Sequence, residues 1–90
     1  MARLGMDVDE VERVAGGLHQ QSAALQQAIS QITTLVNQAV HVWDGQDSRQ
    51  FADWWNSQHK PALTKASHAI EELSRTAKKN AQDQRQVSGH

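Results

Sequence analysis

Apolar and small residues recur along the first half of this chain in alternating steps of four and three. They stand at Val11, Ala15, Leu18, Ser22, Leu25, Ile29, Ile32, Val36 and Ala39. Such steps line side chains up on one face of a helix, and sustained over several heptads they describe a helix packed lengthwise against another. A flanking series at sevenfold spacing (Val14, Gln21, Ala28, Leu35, Val42) widens the stripe in its second half. A two-position seam suits a two-stranded contact, and a third position suits a bundle of more helices. The pattern predicts helix one from about residue 8 to about residue 41. At roughly 1.5 Å per residue it would be about 50 Å long, too thin a rod to stand alone.

The periodicity stops at Val42-Trp43-Asp44-Gly45-Gln46-Asp47 and then resumes. Leu63, Ala66, Ile70, Leu73, Ala77, Asn80, Gln84 and Val87 again step by three and four. This predicts helix two from about 47 to about 84, with a kink near Pro61. Proline lacks the N–H and strains a helix interior by about 3 kcal/mol. The residues before 8 lack periodicity and the seam turns polar from Asn80, so tails 1–7 and 85–90 are expected to be flexible. Gly16-Gly17 weakens helix one by about 1 kcal/mol per glycine relative to alanine, and small residues there would let another helix approach closely.

Local chemistry marks the ends of these helices. Asp7 with Glu10, or equally Asp9 with Glu12, fits a capping box for helix one; Asp47 with Gln50 fits one for helix two. Gly45 is the only glycine between Gly17 and Gly89, so it is the natural place for the chain to reverse. Trp43 could then fold back over the start of helix two. Two long helices joined by a tight turn lie antiparallel, and the expected fold is all-α, a helical hairpin. Trp54 and Trp55 point about 100° apart on a helix, so one should face the hairpin partner and the other a second molecule. Together with the wide stripe of helix one, they predict hairpins that dimerise into a four-helix bundle.

Composition narrows the function classes. The chain has 90 residues, no cysteine, no tyrosine, one phenylalanine and a formal net charge of −1. Disulfides and thiolate metal sites are excluded, and near-neutral charge argues against nucleic acid and membrane surfaces as partners. No basic segment followed by an apolar run opens the sequence, and no apolar stretch approaches the roughly 20 residues that span a bilayer. The histidines (His19, His41, His59, His68, His90) form no i, i+4 pair, so no metal site is expected. No strand-turn-helix nucleophile elbow is present, and a thin helical rod offers no pocket. No catalytic residue and no cofactor are expected, and the basic residues of helix two (Lys60, Lys65, Arg75, Lys78, Lys79, Arg85) read as a solvated face.

With Trp43-Asp44-Gly45 set between two long helices in a chain of this size, the sequence resembles the WXG family of small type VII secretion proteins, over nearly its whole length. Phe51 also stands where these proteins often place an aromatic. The resemblance implies a non-enzymatic hairpin that pairs with itself or with a paralogous WXG protein. It further implies synthesis in the cytoplasm followed by export, folded and dimeric, without a cleaved signal peptide. The turn motif is then Trp43 and Gly45. The packing and dimer contacts are expected from Leu18, Leu25, Ile29, Ile32, Phe51, Trp54 and Trp55. One departure is evident. The family's export signal is commonly Tyr-x-x-x-Asp/Glu after helix two, and here Lys79 precedes Asp83 by four positions. A partner carrying the signal, or a role as a non-exported adaptor for a larger secreted protein, accommodates that departure.

Overall fold

The computed structural model describes residues 6–88, a rod of 67 × 16 × 14 Å. Three α-helices carry it: α1 (Val8–Val42), α2 (Gln46–Trp54) and α3 (Lys60–Ser88). Residues 55–59 (Trp55–His59) form a π turn that joins α2 to α3 in one continuous winding. That winding runs back along α1, and no strand occurs among the described residues. The chain is the antiparallel helical hairpin that the hydrophobic spacing predicts.

Of the two caps open to α1, Asp7 is used: its carboxylate accepts the Glu10 N–H at 3.2 Å. Glu10 turns its own carboxylate to Arg13. The reversal occupies Trp43 to Gly45. The Trp43 N–H bonds the Ala39 carbonyl at 2.9 Å and closes α1. Gly45 has φ 119° and ψ −178°, a backbone region open essentially to glycine alone. Asp47, expected as the cap of helix two, is not one. The helix begins a residue earlier, with Gly45 in the cap position and no side-chain cap bond. Asp47 thus lies in the first turn, where its charge complements the helix dipole. Ser48, buried beneath the turn, donates to the Gly45 carbonyl at 2.8 Å.

Pro61 does not break the second arm. Its ring would crowd the carbonyl four residues back, and the chain meets this by widening into the π turn just before it. There the Lys60 N–H bonds the Trp55 carbonyl, five residues back. The extra residue rotates the inward face by one position. Ser48, Ala52 and Trp55 point inward before the turn, whereas Lys60, Leu63, Ser67 and Ile70 do so after it.

The two arms meet along a narrow line of small residues. On α1 the buried positions are Ala15, Ser22, Ile29 and Val36, every seventh residue of the expected seam; Val11, Leu18, Leu25 and Ala39 are half-buried, and Ile32 is exposed. On α3 the expected seam is corrected. Leu63, Ile70, Ala77 and Gln84 do face α1, but the alternate positions are Ser67, Ser74 and Ala81 in place of Ala66, Leu73 and Asn80. Ser67 and Ala81 are 0 % exposed, and Leu73 is 59 % exposed. Small side chains let the backbones approach closely enough for hydroxyls to bridge them. The Ser67 Oγ donates to the Ser22 carbonyl at 3.1 Å, and the Ser74 Oγ to the Ala15 carbonyl at 2.7 Å. These two bonds, between residues 45 and 59 positions apart in sequence, set the register. Gly16 and Gly17, expected at a close approach, are exposed, and a Cβ added at either meets nothing within 4 Å. The close approach falls instead at the neighbouring Ala15.

α3 continues to Ser88, past residue 84 where the apolar pattern fades. Arg85 donates to Asp9 at 2.8 Å and to Glu12 at 2.7 Å, tying the end of α3 to the start of α1. Residues 1–5 of the tail expected over 1–7, and residues 89–90 of the tail expected over 85–90, lie outside the described residues.

Candidate interaction surface

At the apex, Trp43 leaves α1 and lies against Phe51 in the second turn of α2, with ring centroids 5.5 Å apart and planes tilted by 48°. Both rings remain partly open to solvent. The adjacent tryptophans diverge. The Trp55 indole N–H reaches across to α1 and donates to Thr33 Oγ1 at 3.0 Å. Trp54 stays 54 % exposed and meets the edge of His59, at 4.3 Å between centroids. An indole with its N–H satisfied is suited to a hairpin contact; one left half in water is suited to something outside it.

The hairpin has two unlike sides, because residues next to the seam on α1 face those next to the seam on α3. On one side are charges. His19 Nδ1 and Ser22 Oγ each lie 2.8 Å from Glu71 Oε1, and Arg75 approaches the other Glu71 oxygen at 3.7 Å. The hydrogen bonds from His19 and Ser22, with the charges of His19 and Arg75, hold the Glu71 carboxyl below the usual carboxylate range. Further along come the Arg85 contacts with Asp9 and Glu12, which keep the Arg85 guanidinium charged to still higher pH than usual. Charges of both signs close this side upon themselves.

The other side carries the apolar surplus. Leu18 and Leu25 border the seam there, Ile32 follows, and Val14, Leu35 and Val42 extend the stripe outward. Leu35 is 62 % exposed and Val42 86 % exposed. Helical spacing of 100° per residue puts Ile70 and Leu73 of α3 and Phe51 and Trp54 of α2 on this same side. The result is a strip of exposed apolar side chains running most of the hairpin's length, more continuous than a chain working alone leaves in water.

The residues predicted as one packing group therefore separate. Ile29 is buried between the arms, Leu18, Leu25 and Trp55 are half-buried beside the seam, and Ile32, Phe51 and Trp54 are exposed on the apolar side. Trp43 and Gly45 stand together at the apex. Ser67, Ser74 and Ala81, which hold the register, stand outside the expected seam, whereas Leu73, expected within it, is 59 % exposed on the apolar side. The signal in the sequence for the first three is the sevenfold spacing of the small residues Ser67, Ser74 and Ala81.

Among the described residues, no three His, Cys, Asp or Glu side chains come together as a metal site would require. No helix among them is long and apolar enough to cross a membrane. No curated protein and no solved structure matches the chain significantly. The profile of the WXG100 family, described as proteins of 100 residues with WXG, matches residues 3–87. With the Trp-x-Gly turn at the apex of a two-armed helical hairpin and the match spanning almost the whole sequence, this chain belongs to the WXG100 family.

Proposed function

We propose that this hairpin is a type VII secretion substrate or co-secreted partner that acts as a dimer, with a second copy or a paralogous WXG100 chain. The observation that carries the reading is the family match over residues 3–87, with Trp43 and Gly45 at the apex of the hairpin. WXG100 proteins are small, non-enzymatic and associated with type VII secretion, where they generally pair with each other or with other partners of the system. The exposed apolar side supports pairing: its side chains gain about 25 cal/mol for each Å² removed from water. A dimer built on it is a four-helix bundle, made in the cytoplasm and exported without a cleaved signal peptide. No cofactor and no nucleic acid enter this role.

A second reading rests on one observation. Where the family's export signal places tyrosine and an acid, this chain has Lys79 and Asp83, held together in an ion pair at 2.8 Å on α3. A chain without the signal fits an adaptor that binds a larger secreted protein and stays inside. Culture medium from cells with and without the secretion ATPase separates the two. Export predicts the chain in the medium only when the ATPase is present. Retention in both strains, with co-purification of a larger secreted protein, supports the adaptor and overturns the export reading.

A further inference from the structure

The hydroxyl contacts between the arms, Ser74 to Ala15 and Ser67 to Ser22, are one heptad apart. The next heptad toward the apex brings Lys60 opposite Ile29. There the Ile29 carbonyl accepts from Thr33 Oγ1 within α1, at 2.8 Å, and not from across the seam. Lys60 thus stands in the row of Ser67, Ser74 and Ala81, turned inward by the extra residue of the π turn. It lines a shallow groove of about 300 Å³ with Gln26, Ile29, Ser30, Thr33, Thr34 and Thr64. The groove lies on the charged side, one heptad before Glu71 on α3 and two heptads beyond His19 on α1. Arg13, Arg75, Lys79 and Arg85 each pair with an acid, and Arg49, Lys65 and Lys78 are exposed. Lys60 alone among the described lysines and arginines is half-buried, and it pairs with no acid among those residues. The sequence holds no acid close by: α1 has none between Glu12 and Asp44, and the second arm has none between Asp53 and Glu71. Glu71 is already engaged by His19, Ser22 and Arg75.

We propose that the Lys60 groove is a binding site for a carboxylate, brought by an aspartate or glutamate side chain of another protein. An ammonium partly withdrawn from water loses hydration, and the loss is offset only by an anion and hydrogen bonds. The groove provides both sides of that exchange. Lys60 supplies the charge, while Ser30 and Thr64 bring hydroxyls that enter no hydrogen bond among the described residues. Thr33 is fixed between the Ile29 carbonyl and the Trp55 indole N–H, so the wall of the groove is rigid there. One cation with neutral donors matches the single charge of a carboxylate. A phosphate carries up to two charges and is better met by several cations or an arginine fork. The surroundings favour an acidic protein segment: α1 has no Asp, Glu, Lys or Arg from residue 14 to residue 43, so no acid on it repels the approach. A groove so open holds a small free anion weakly, and the carboxylate gains affinity as one contact within a larger interface. The site faces away from the apolar strip, so it can be filled whichever molecule pairs there.

Heteronuclear NMR on the full chain, at constant ionic strength and neutral pH, tests this. Propionate reproduces the end of a glutamate side chain, propionamide is its neutral counterpart, and inorganic phosphate is the rival anion. Propionate should shift the amides of Ser30, Thr34, Lys60 and Thr64 saturably, with a dissociation constant on the order of 10 mM, and propionamide should not. A capped alanine–glutamine helical peptide with one central glutamate should bind more tightly than propionate. Lys60→Met keeps most of the stem and removes the charge. It should abolish the shifts and raise the melting temperature, since no ammonium is then held half out of water. Thr64→Val should weaken binding about two- to tenfold with helicity unchanged. Shifts spread alike over Lys65, Lys78 and Lys79, or rising without saturation, overturn the site. Phosphate binding about ten times tighter than propionate overturns the carboxylate, and peptide binding weaker than propionate overturns the protein source. A lower melting temperature for Lys60→Met means that the ammonium is already satisfied within the hairpin, and overturns the proposal as a whole.

Discussion

Replacing Ser67 with leucine tests the register of the two arms. Ser67 is 0 % exposed, and its hydroxyl donates to the Ser22 carbonyl at 3.1 Å. Ser67→Ala deletes one neutral hydrogen bond, worth about 0.5–1.5 kcal/mol. The Ser22 carbonyl keeps its bond within α1, so no orphaned acceptor is left and the lower half of that range applies. Ser67→Leu loses the same bond and also forces a larger side chain between closely spaced backbones, a further cost of about 1–3 kcal/mol. The sum is about 1.5–4 kcal/mol, or roughly 6–32 °C in melting temperature at about 4–8 °C per kcal/mol for a domain of this size. Ala66→Leu, one position away, stays out of the close α1 contact and adds apolar surface on the side proposed to pair, so it should not lower stability by more than about 0.5 kcal/mol. Thermal melts followed by far-ultraviolet circular dichroism read all three. If Ala66→Leu were the costly change and Ser67→Leu the tolerated one, the seam would run through Ala66, Leu73 and Asn80, and the register would be refuted.

Other perturbations follow from the same contacts. Gly45→Ala forces a side chain into a backbone region that glycine alone adopts readily, with open space around the added carbon. The cost is backbone strain of about 1–3 kcal/mol, seen as a lower denaturant midpoint without a change in slope. Gly16→Ala meets nothing and should raise stability by about 0.5–1 kcal/mol through helix propensity. Glu71 has its carboxyl held below its ordinary 4.5. A depressed carboxylate contributes stability that is complete above the unfolded value and is lost as pH falls through the folded one. Wild-type stability should therefore decline from about pH 4.5 downward, and Glu71→Gln should flatten that decline; denaturation curves as a function of pH decide it.

How much of this was legible in the sequence depends on what each position contributes. The hairpin, its apex at Gly45 and the α1 seam were readable because Ala15, Ile29 and Val36 recur at heptad spacing and a lone glycine interrupts the pattern. The divergence of Trp54 and Trp55 followed from their adjacency on a helix, although which one turned inward did not. The α3 register was not readable from apolar spacing. Leu73 and Ala66 look like core, but the close contact needs side chains smaller than leucine, and the serines that meet it look like surface. Asp47 looked like a cap because the turn seemed one residue longer than the positive φ of Gly45 makes it. Pro61 announced an irregularity, and only the backbone showed that it is a π turn that shifts the inward face by one residue. The site itself was half legible. The family motif named the apex, while the division into a charged and an uncharged side emerges only when both arms are placed together.

The proposed role has a second molecule docked on the uncharged side of the hairpin, with the pair as the exported species. Its most direct test is the ATPase-dependent appearance in culture medium of wild type and Leu35→Lys, expressed at equal levels and equally helical. The wild type should appear in the medium, and Leu35→Lys should be retained inside the cell. Export of Leu35→Lys at the wild-type level would contradict it.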